Sequence, residues 1–239
     1  MTSLKEPLSR VLINQKLTSQ RSAKNFIKNN EVLINGTRIF EASFPVDSEK
    51  DEVIVNSKKL SPVIHQTLML NKPRGVVCST VSDSHCTVYD LLKRKFDGPD
   101  LFKFKCAGRL DCDTSGLLIL STNGSLVKAL TDPENNVEKK YFVKLRDSVL
   151  DKSSYTKKIA AGIKIPPEKK SPGFTSRSAK LEWISCNEVF ITVTEGKFHE
   201  VRRIFAALDN QVMELKRIQM GDFFLDENLR EGEIKLCKN

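Results

Sequence analysis

Gly108-Arg-Leu-Asp111-Cys-Asp113-Thr-Ser-Gly116-Leu-Leu-Ile-Leu120 is the stretch that decides the fold. Two aspartates sit in a glycine-bounded turn, and an unbroken apolar run follows at once. Such a run behind a turn reads as a buried strand, so the acids stand at the mouth of a core. Carboxylates taken out of water are costly unless paired, so Asp111 or Asp113 needs a chemical role or a cation. Glu195-Gly-Lys-Phe-His-Glu-Val-Arg-Arg203 can supply that cation. Val201, Ile204, Phe205 and Leu208 keep helical spacing there, with Arg202 on the flank of the stripe and Arg203 nearly opposite it. The flank position suits reaching into a neighbouring pocket; the outward one suits a phosphate. Lys197, His199 and both arginines surround the start of this helix, an end that favours anions.

Outward from these two segments the pattern mixes strands and helices. Apolar runs and alternation predict strands at 66–71, 104–109, 117–121, 139–146, 179–184, 188–195 and 211–219. Helical spacing predicts helices at 87–96, 125–131, 151–160 and 199–208. The proline-containing stretch 164–178 reads as a loop with little structure of its own.

The amino-terminal part has a different character. Between Arg10 and Lys28 there are five basic residues (Arg10, Lys16, Arg21, Lys24, Lys28) and no acid. Val11-Leu-Ile13 and Ala23, Phe26, Ile27 predict two short helices, with Thr18 and Ser19 as cap candidates between them. Arg21, Lys24 and Lys28 step along one face of the second. Glu31-Val-Leu-Ile-Asn35-Gly36-Thr-Arg-Ile-Phe40 places two apolar runs around Asn-Gly, a strong hairpin signal, and Val53-Ile-Val55 adds a strand. Residues 56–65 are polar and contain proline, which suits a linker. The expectation is a small domain over 1–60 and a larger one over 61–239.

Composition narrows the function classes. The chain has 239 residues, 39 basic and 30 acidic, and a formal charge of +9, which favours a polyanionic partner through its long-range field. It contains no apolar run long enough to cross a bilayer and opens on no export signal. Six scattered cysteines without Cys-x-x-Cys and only three histidines argue against a disulfide framework or a metal site and for reduced thiols in a cytoplasm. Membrane and DNA partners are not expected, and a monomer is the default.

Three resemblances compete for the aspartate segment. Asp111-Cys-Asp113 is faintly similar to the Asp-x-Asp nucleophile of haloacid-dehalogenase-like enzymes, but Lys105-Cys-Ala-Gly-Arg-Leu110 is not the apolar strand they need. Asp113-Thr-Ser-Gly116 resembles an aspartic-protease loop with the wrong third residue and no second copy. The third fits the whole chain. Gly108 to Leu120 resembles the catalytic motif of pseudouridine synthases, and three more motifs match in order: Leu70-Asn-Lys-Pro-Arg-Gly-Val-Val-Cys-Ser79, Glu138-Lys-Lys-Tyr-Phe-Val143 and Glu195 to Arg203. Residues 8–55 resemble the S4 RNA-binding module, through Ser9-Arg-Val-Leu12, Ser19-Gln-Arg-Ser-Ala23 and Glu31 to Gly36. The similarity is therefore to the S4-containing pseudouridine synthases of ribosomal RNA.

That resemblance implies an α+β protein: a small S4 domain and a catalytic domain with a mixed, largely antiparallel sheet and flanking helices. It implies conversion of one uridine in ribosomal RNA, or in an assembling subunit, to pseudouridine without cofactor or metal. Uracil leaves its ribose, turns and rejoins through C5. Asp111 would be the essential carboxylate, attacking sugar or base or removing a sugar proton. Arg202 would pair with it, since a nearby arginine offsets the effect of desolvation by roughly 1–3 pKa units, and Asp113 would serve the turn. Tyr141 would stack on the base, worth about 1–3 kcal/mol, and help remove the C5 proton. Arg109 would hold the displaced strand or the flipped nucleotide's phosphate, while Lys72, Arg74, Lys197 and Arg203 would contact phosphate; Arg21, Lys24 and Lys28 would bind RNA from the S4 module. Val77-Cys-Ser-Thr80, Thr87-Val-Tyr-Asp-Leu-Leu92 and Phe198 to Leu208 lean toward small-subunit ribosomal RNA; a large-subunit target or a non-catalytic assembly factor are the alternatives. Three features depart from the pattern: Glu200 where glutamine is usual, Leu208-Asp-Asn210 without a capping glycine, and a short carboxyl terminus.

Overall fold

The computed structural model describes residues 5–48, 50–96, 99–168 and 171–237, which fall into two compact units that meet in sequence between Gln66 and Thr67. The first runs β1 (Glu6–Pro7), α1 (Leu8–Asn14), α2 (Ala23–Asn29), β2 (Val32–Ile34), β3 (Thr37–Arg38), β4 (Pro45–Val46), β5 (Val53–Val55) and β6 (Lys58–Lys59). Four strands form a sheet in the order β3-β2-β5-β6, and β1 pairs with β4. Asn35 and Gly36 both take positive φ, 49° and 80°, the geometry a two-residue hairpin turn requires. Leu8, Leu12, Ile27, Val32 and Val46 form the core against which both helices pack.

Two expectations change here. Ser22, not Thr18 or Ser19, is the residue before α2, and the hydroxyls of those two bond to its side chain at 3.0 and 2.7 Å. Residues 56–65 are not a free linker. Asn56 and Ser57 form a left-handed turn, β6 pairs back onto β5, the Val63 amide donates to Ser48, and His65 Nε2 lies 3.1 Å from Glu6 Oε1 with both side chains buried. A polar composition signals a linker only where the backbone groups find no partner, and here they do.

The second unit runs β7 (Thr67–Lys72), α3 (Val88–Leu92), β8 (Lys105–Ala107), β9 (Ser115–Ser121), α4 (Gly124–Thr131), β10 (Lys139–Leu145), α5 (Lys152–Ala161), β11 (Lys164–Ile165), β12 (Phe174–Thr175), β13 (Lys180–Trp183), β14 (Glu188–Val193), α6 (Glu200–Ala206), β15 (Val212–Met220), β16 (Phe223–Phe224) and β17 (Ile234–Leu236). Its main sheet has the order β13-β14-β10-β15-β9-β7-β17, with β8 beside β9 and β16 beside β15. Every pairing in it is antiparallel except β15 with β9. The protein is thus α+β with a mixed, largely antiparallel sheet.

The central strands β7 and β9 are buried along their whole lengths, so they read as continuous apolar runs rather than alternation. Their side chains still alternate between faces. Leu68, Leu70, Leu118 and Leu120 join one core with Val143 and Ile204, whereas Met69, Leu117 and Ile119 join another with Leu130 and Met220. The stretch 164–178 is more structured than expected, because β11 and β12 pair across it. Helices α3 and α6 are shorter than their spacing predicts, and α3 starts on a reciprocal capping box between Thr87 and Asp90. Among the described residues no helix is long and apolar enough to cross a membrane.

The parallel step from β9 to β15 sets the geometry of the site. Gly116 lies opposite Arg217 with φ +101°, and a Cβ there would fall 2.2 Å from the Arg217 carbonyl oxygen. Glycine alone allows that approach.

Candidate active site

The loop from Gly108 to Thr114 joins β8 to β9. Gly108 turns the chain at φ +74°, and the Thr114 amide closes a tight turn on the Asp111 carbonyl at 3.1 Å. The segment after β7 clasps this loop from below: the Gly75 amide donates to the Cys112 carbonyl at 2.7 Å, and the Leu110 amide meets the Cys78 sulfur at 3.4 Å. The two motifs around residues 70–79 and 108–120 are therefore halves of one loop structure.

Asp111 opens into a cleft of about 220 Å³. Tyr141, on β10 between Ile191 of β14 and Arg217 of β15, lines the same cleft with Arg109, Lys197, His199 and Glu200. The sheet thus brings the aspartate, the tyrosine and two of the predicted cations to one place. Arg109 and Lys197 are exposed at its edge, and Lys197 is ion-paired to Glu195 at 2.8 Å. Arg74 is also exposed but does not line this cleft.

Three expectations about the cations are corrected. Arg202 does not pair with Asp111. Its Nη2 lies 2.8 Å from Asp113 Oδ2 and 3.3 Å from the Asp113 carbonyl, and Nη1 donates to the Val212 carbonyl at 3.1 Å. The Asp111–Thr114 turn separates the two carboxylates, and the one on the α6 side is Asp113. The basic side chain beside Asp111 is that of His199, with Nε2 at 3.7 Å from Oδ1; Asp111 itself is not deeply buried, its side chain being 37% exposed.

Lys72 cannot touch phosphate, because it is completely buried at 0% exposure. Its Nζ donates to the Pro73 carbonyl at 2.9 Å. Burial lowers its pKa, while Cys78, Cys112, Asp111 and Asp113 act in the opposite sense. It is a positive charge buried behind the Gly108–Thr114 loop.

Arg203 is likewise inward, 3% exposed. It donates to Ser171 Oγ and to the carbonyls of Pro166 and Pro172 at 2.8–3.1 Å, and its guanidinium stacks 4.8 Å from the Phe174 ring centroid. The helix face that looked solvent-facing is covered by the β11–β12 hairpin.

Two side chains in this region were given no role from the sequence. Arg217 is 1% exposed, donates through Nε to the Leu117 carbonyl at 2.8 Å and leaves Nη2 without a partner. With Lys139 it lines a second cavity of about 250 Å³ that shares Arg109, Tyr141 and Lys197 with the first. Burial and then Arg217 depress the pKa of Lys139. Glu195 is the other, and it anchors Lys197. A basic residue inside a strand is the only cue to Arg217, and it does not reveal the burial.

In the first unit, Lys24 and Lys28 are exposed on α2 and line a groove with Pro7, Ser9 and the exposed ring of Phe40. Arg21 stands in the turn before that helix rather than on it. The Arg38 guanidinium lies 4.9 Å over the Phe40 ring.

Comparisons with known proteins agree with this geometry. The RNA pseudouridylate synthase family matches residues 66–207. The ribosomal small subunit pseudouridine synthase A of Haemophilus influenzae is 38% identical over 93% of this chain and 91% of its own. The Escherichia coli K12 protein of that name is 34% identical over 95% and 94%. A crystal structure of a pseudouridylate synthase superposes with a TM-score of 0.67 at 36% identity, covering 99% of this chain and 96% of that one.

Proposed function

Because this chain belongs to the RNA pseudouridylate synthase family, we propose that it converts one uridine of small-subunit ribosomal RNA to pseudouridine, with Asp111 as the essential carboxylate. The observation that carries this reading is the meeting of Asp111 and Tyr141 in one cleft edged by Arg109 and Lys197. At about 220 Å³ the cleft lies below the ~300–1,000 Å³ typical of drug-sized ligands, which suits a single extruded base. The names and near-complete coverage of the relatives support the small-subunit target.

A uridine in folded RNA must leave its stack, at a cost of a few kcal/mol. Arg109 and Lys197, exposed at the edge, meet that cost by holding the flanking phosphates. Tyr141 offers its ring as the platform on which uracil stacks, for about 1–3 kcal/mol. Asp111 presents its carboxylate to the ribose side, where the C1′–N1 bond breaks and the C1′–C5 bond forms. The proton on C5 is then lost and N1 takes one up, so the isomerisation balances; the Tyr141 hydroxyl lines the same cleft and is placed to relay it, giving up its own proton as it takes the one from C5. Lys72, buried behind the loop, supplies a positive charge that acts on that carboxylate, and His199 stands beside it at 3.7 Å. Arg202 acts at one remove, by bracing Asp113 and so the turn that carries Asp111. The amino-terminal unit acts as an S4-type RNA-binding module through Arg21, Lys24 and Lys28.

The test is to map pseudouridines in ribosomal RNA from cells lacking the protein and to restore wild type or Asp111→Asn. One small-subunit position is expected to lose its modification and to regain it only with the wild-type protein. In vitro, Asp111→Asn is expected to slow product formation by ~100-fold or more while binding the same RNA. An unchanged modification map defeats the proposal.

A further inference from the structure

Glu195, on the loop before α6, and Glu200, the first residue of α6, bring two carboxyl groups together at the wall shared by the two cavities, Glu200 lining the first and Glu195 the second, with Gly196 and Lys197 lining both. Their surroundings differ sharply. Glu195 is well served: Lys197 Nζ lies at 2.8 Å, the Arg177 amide donates at 3.0 Å, and Arg177 Nε stands at 3.6 Å. Glu200 is 5% exposed, and its Oε2 is buried without any hydrogen-bond partner. Two touching carboxylates, one of them desolvated, do not both hold charge cheaply. Glu195 holds the Lys197 ammonium and both Arg177 contacts, whereas Glu200 has the Lys197 backbone and the more distant Lys197 charge in its favour, so the proton belongs on Glu200.

We propose that Glu200 is a positioning residue that works as a neutral acid, its O–H holding the Glu195 carboxylate and, through it, Lys197 at the cleft wall where RNA enters. The chemistry agrees with the geometry. Burial, then the adjacent Glu195, pushes Glu200 up to about 7. Glu195 stays below the ordinary carboxylate range despite its partial burial, through Lys197, the Arg177 amide and Glu200.

The direction of the pH effect follows from the groups around the pair. Lys197 and His199 flank it on its own loop. Lys139 and Tyr141 face it from β10, with Arg217 of β15 behind Lys139, and Arg109 and Asp111 stand in the cleft. The neutral form prevails at low pH and is lost as pH rises through the Glu200 pKa. Ionisation then puts two negative charges in contact, with Asp111 as a third in the same cleft. Lys197 loses its fixed seat and the wall repels phosphate. Substrate capture weakens more than the chemical step.

This inference rests on the uridine reading of the cleft, and its test separates the two. Pseudouridine formation in a small-subunit RNA transcript is measured between about pH 6 and about pH 8.5 for wild type and Glu200→Gln. Glutamine keeps the donor and cannot ionise. In the wild type kcat/KM is expected to fall roughly tenfold across that range, through KM, and in Glu200→Gln by no more than about twofold. Parallel profiles, a flat wild-type profile, or a fall carried by kcat alone would overturn the proposal. Should Glu200→Gln fail to fold by circular dichroism, carbon-13 spectra of wild type labelled at glutamate carboxyls decide the matter. One carboxyl titrating near neutrality is expected, and all of them titrating below about pH 5.5 would overturn it. Absence of product from every form at every pH would defeat the uridine reading alone, since the carboxyl titration is read without substrate.

Discussion

Arg202 and Asp113 share a contact that the family resemblance would give to Arg202 and Asp111. Both acids lie in the same turn, two residues apart, and helical geometry places Arg202 correctly on the flank of its stripe. What spacing does not contain is the direction in which each carboxylate leaves the turn, which the hydrogen bond from Thr114 to the Asp111 carbonyl decides. The Arg202–Asp113 pair is half exposed on the acid side, so its worth is about 0.5–1 kcal/mol. A double-mutant cycle on thermal or urea unfolding with Arg202→Ala and Asp113→Ala is expected to recover a coupling of that size. The cycle of Arg202→Ala with Asp111→Ala is expected to give none, and a coupling in that cycle instead would contradict the assignment. Lys72 teaches a similar lesson. Its place beside proline and arginine suggests a surface cation, yet it sits on β7, a strand covered on both faces.

At the scale of elements, α6 owes its position to a hairpin that the sequence did not announce. The long strands β7, β9, β10, β14 and β15 were legible because buried runs and alternation leave a periodic trace. The strands β11, β12, β16 and β17, two or three residues each, are too short to carry a period and exist only through their partners. Arg203 shows the consequence. On a bare helix it points outward, but the β11–β12 hairpin closes over it and offers the carbonyls of Pro166 and Pro172. Arg203→Ala strips the hairpin of its anchor, removing a buried guanidinium with its bonds to Ser171, Pro166 and Pro172 and its stack on Phe174, so a loss of about 2–4 kcal/mol in urea unfolding is expected. Faster amide exchange should be confined first to Lys164–Thr175. A loss below about 0.5 kcal/mol would mean that the hairpin holds itself in place. Glu200 also belongs here, because the left-handed backbone of His199 (φ 50°) starts α6 abruptly and turns its first side chain into the wall instead of out to solvent.

For the molecule as a whole, the excess of positive charge, +9, was the first sign of a polyanionic partner, and much of the basic amino-terminal segment remains open to solvent. Lys24 and Lys28 keep one exposed face of α2, and Arg21 extends it from the preceding turn. Replacing all three by alanine is expected to weaken RNA binding at every sequence tested. The slope of log K against log salt should become shallower by about 2–3, near one unit per lost phosphate contact. Titrations at several ionic strengths read this directly, and an unaltered slope would place the RNA elsewhere. The same substitutions should leave the melting temperature nearly constant, since none of the three is buried. One crossing of backbones reaches further than any of these charges. With the Arg217 carbonyl 2.2 Å from where a Cβ would stand at Gly116, even alanine pries apart the parallel seam between β9 and β15. In a saturation screen of every codon, position 116 would therefore score as dead as Asp111, and only a folding assay run alongside would tell a broken scaffold from a missing reagent.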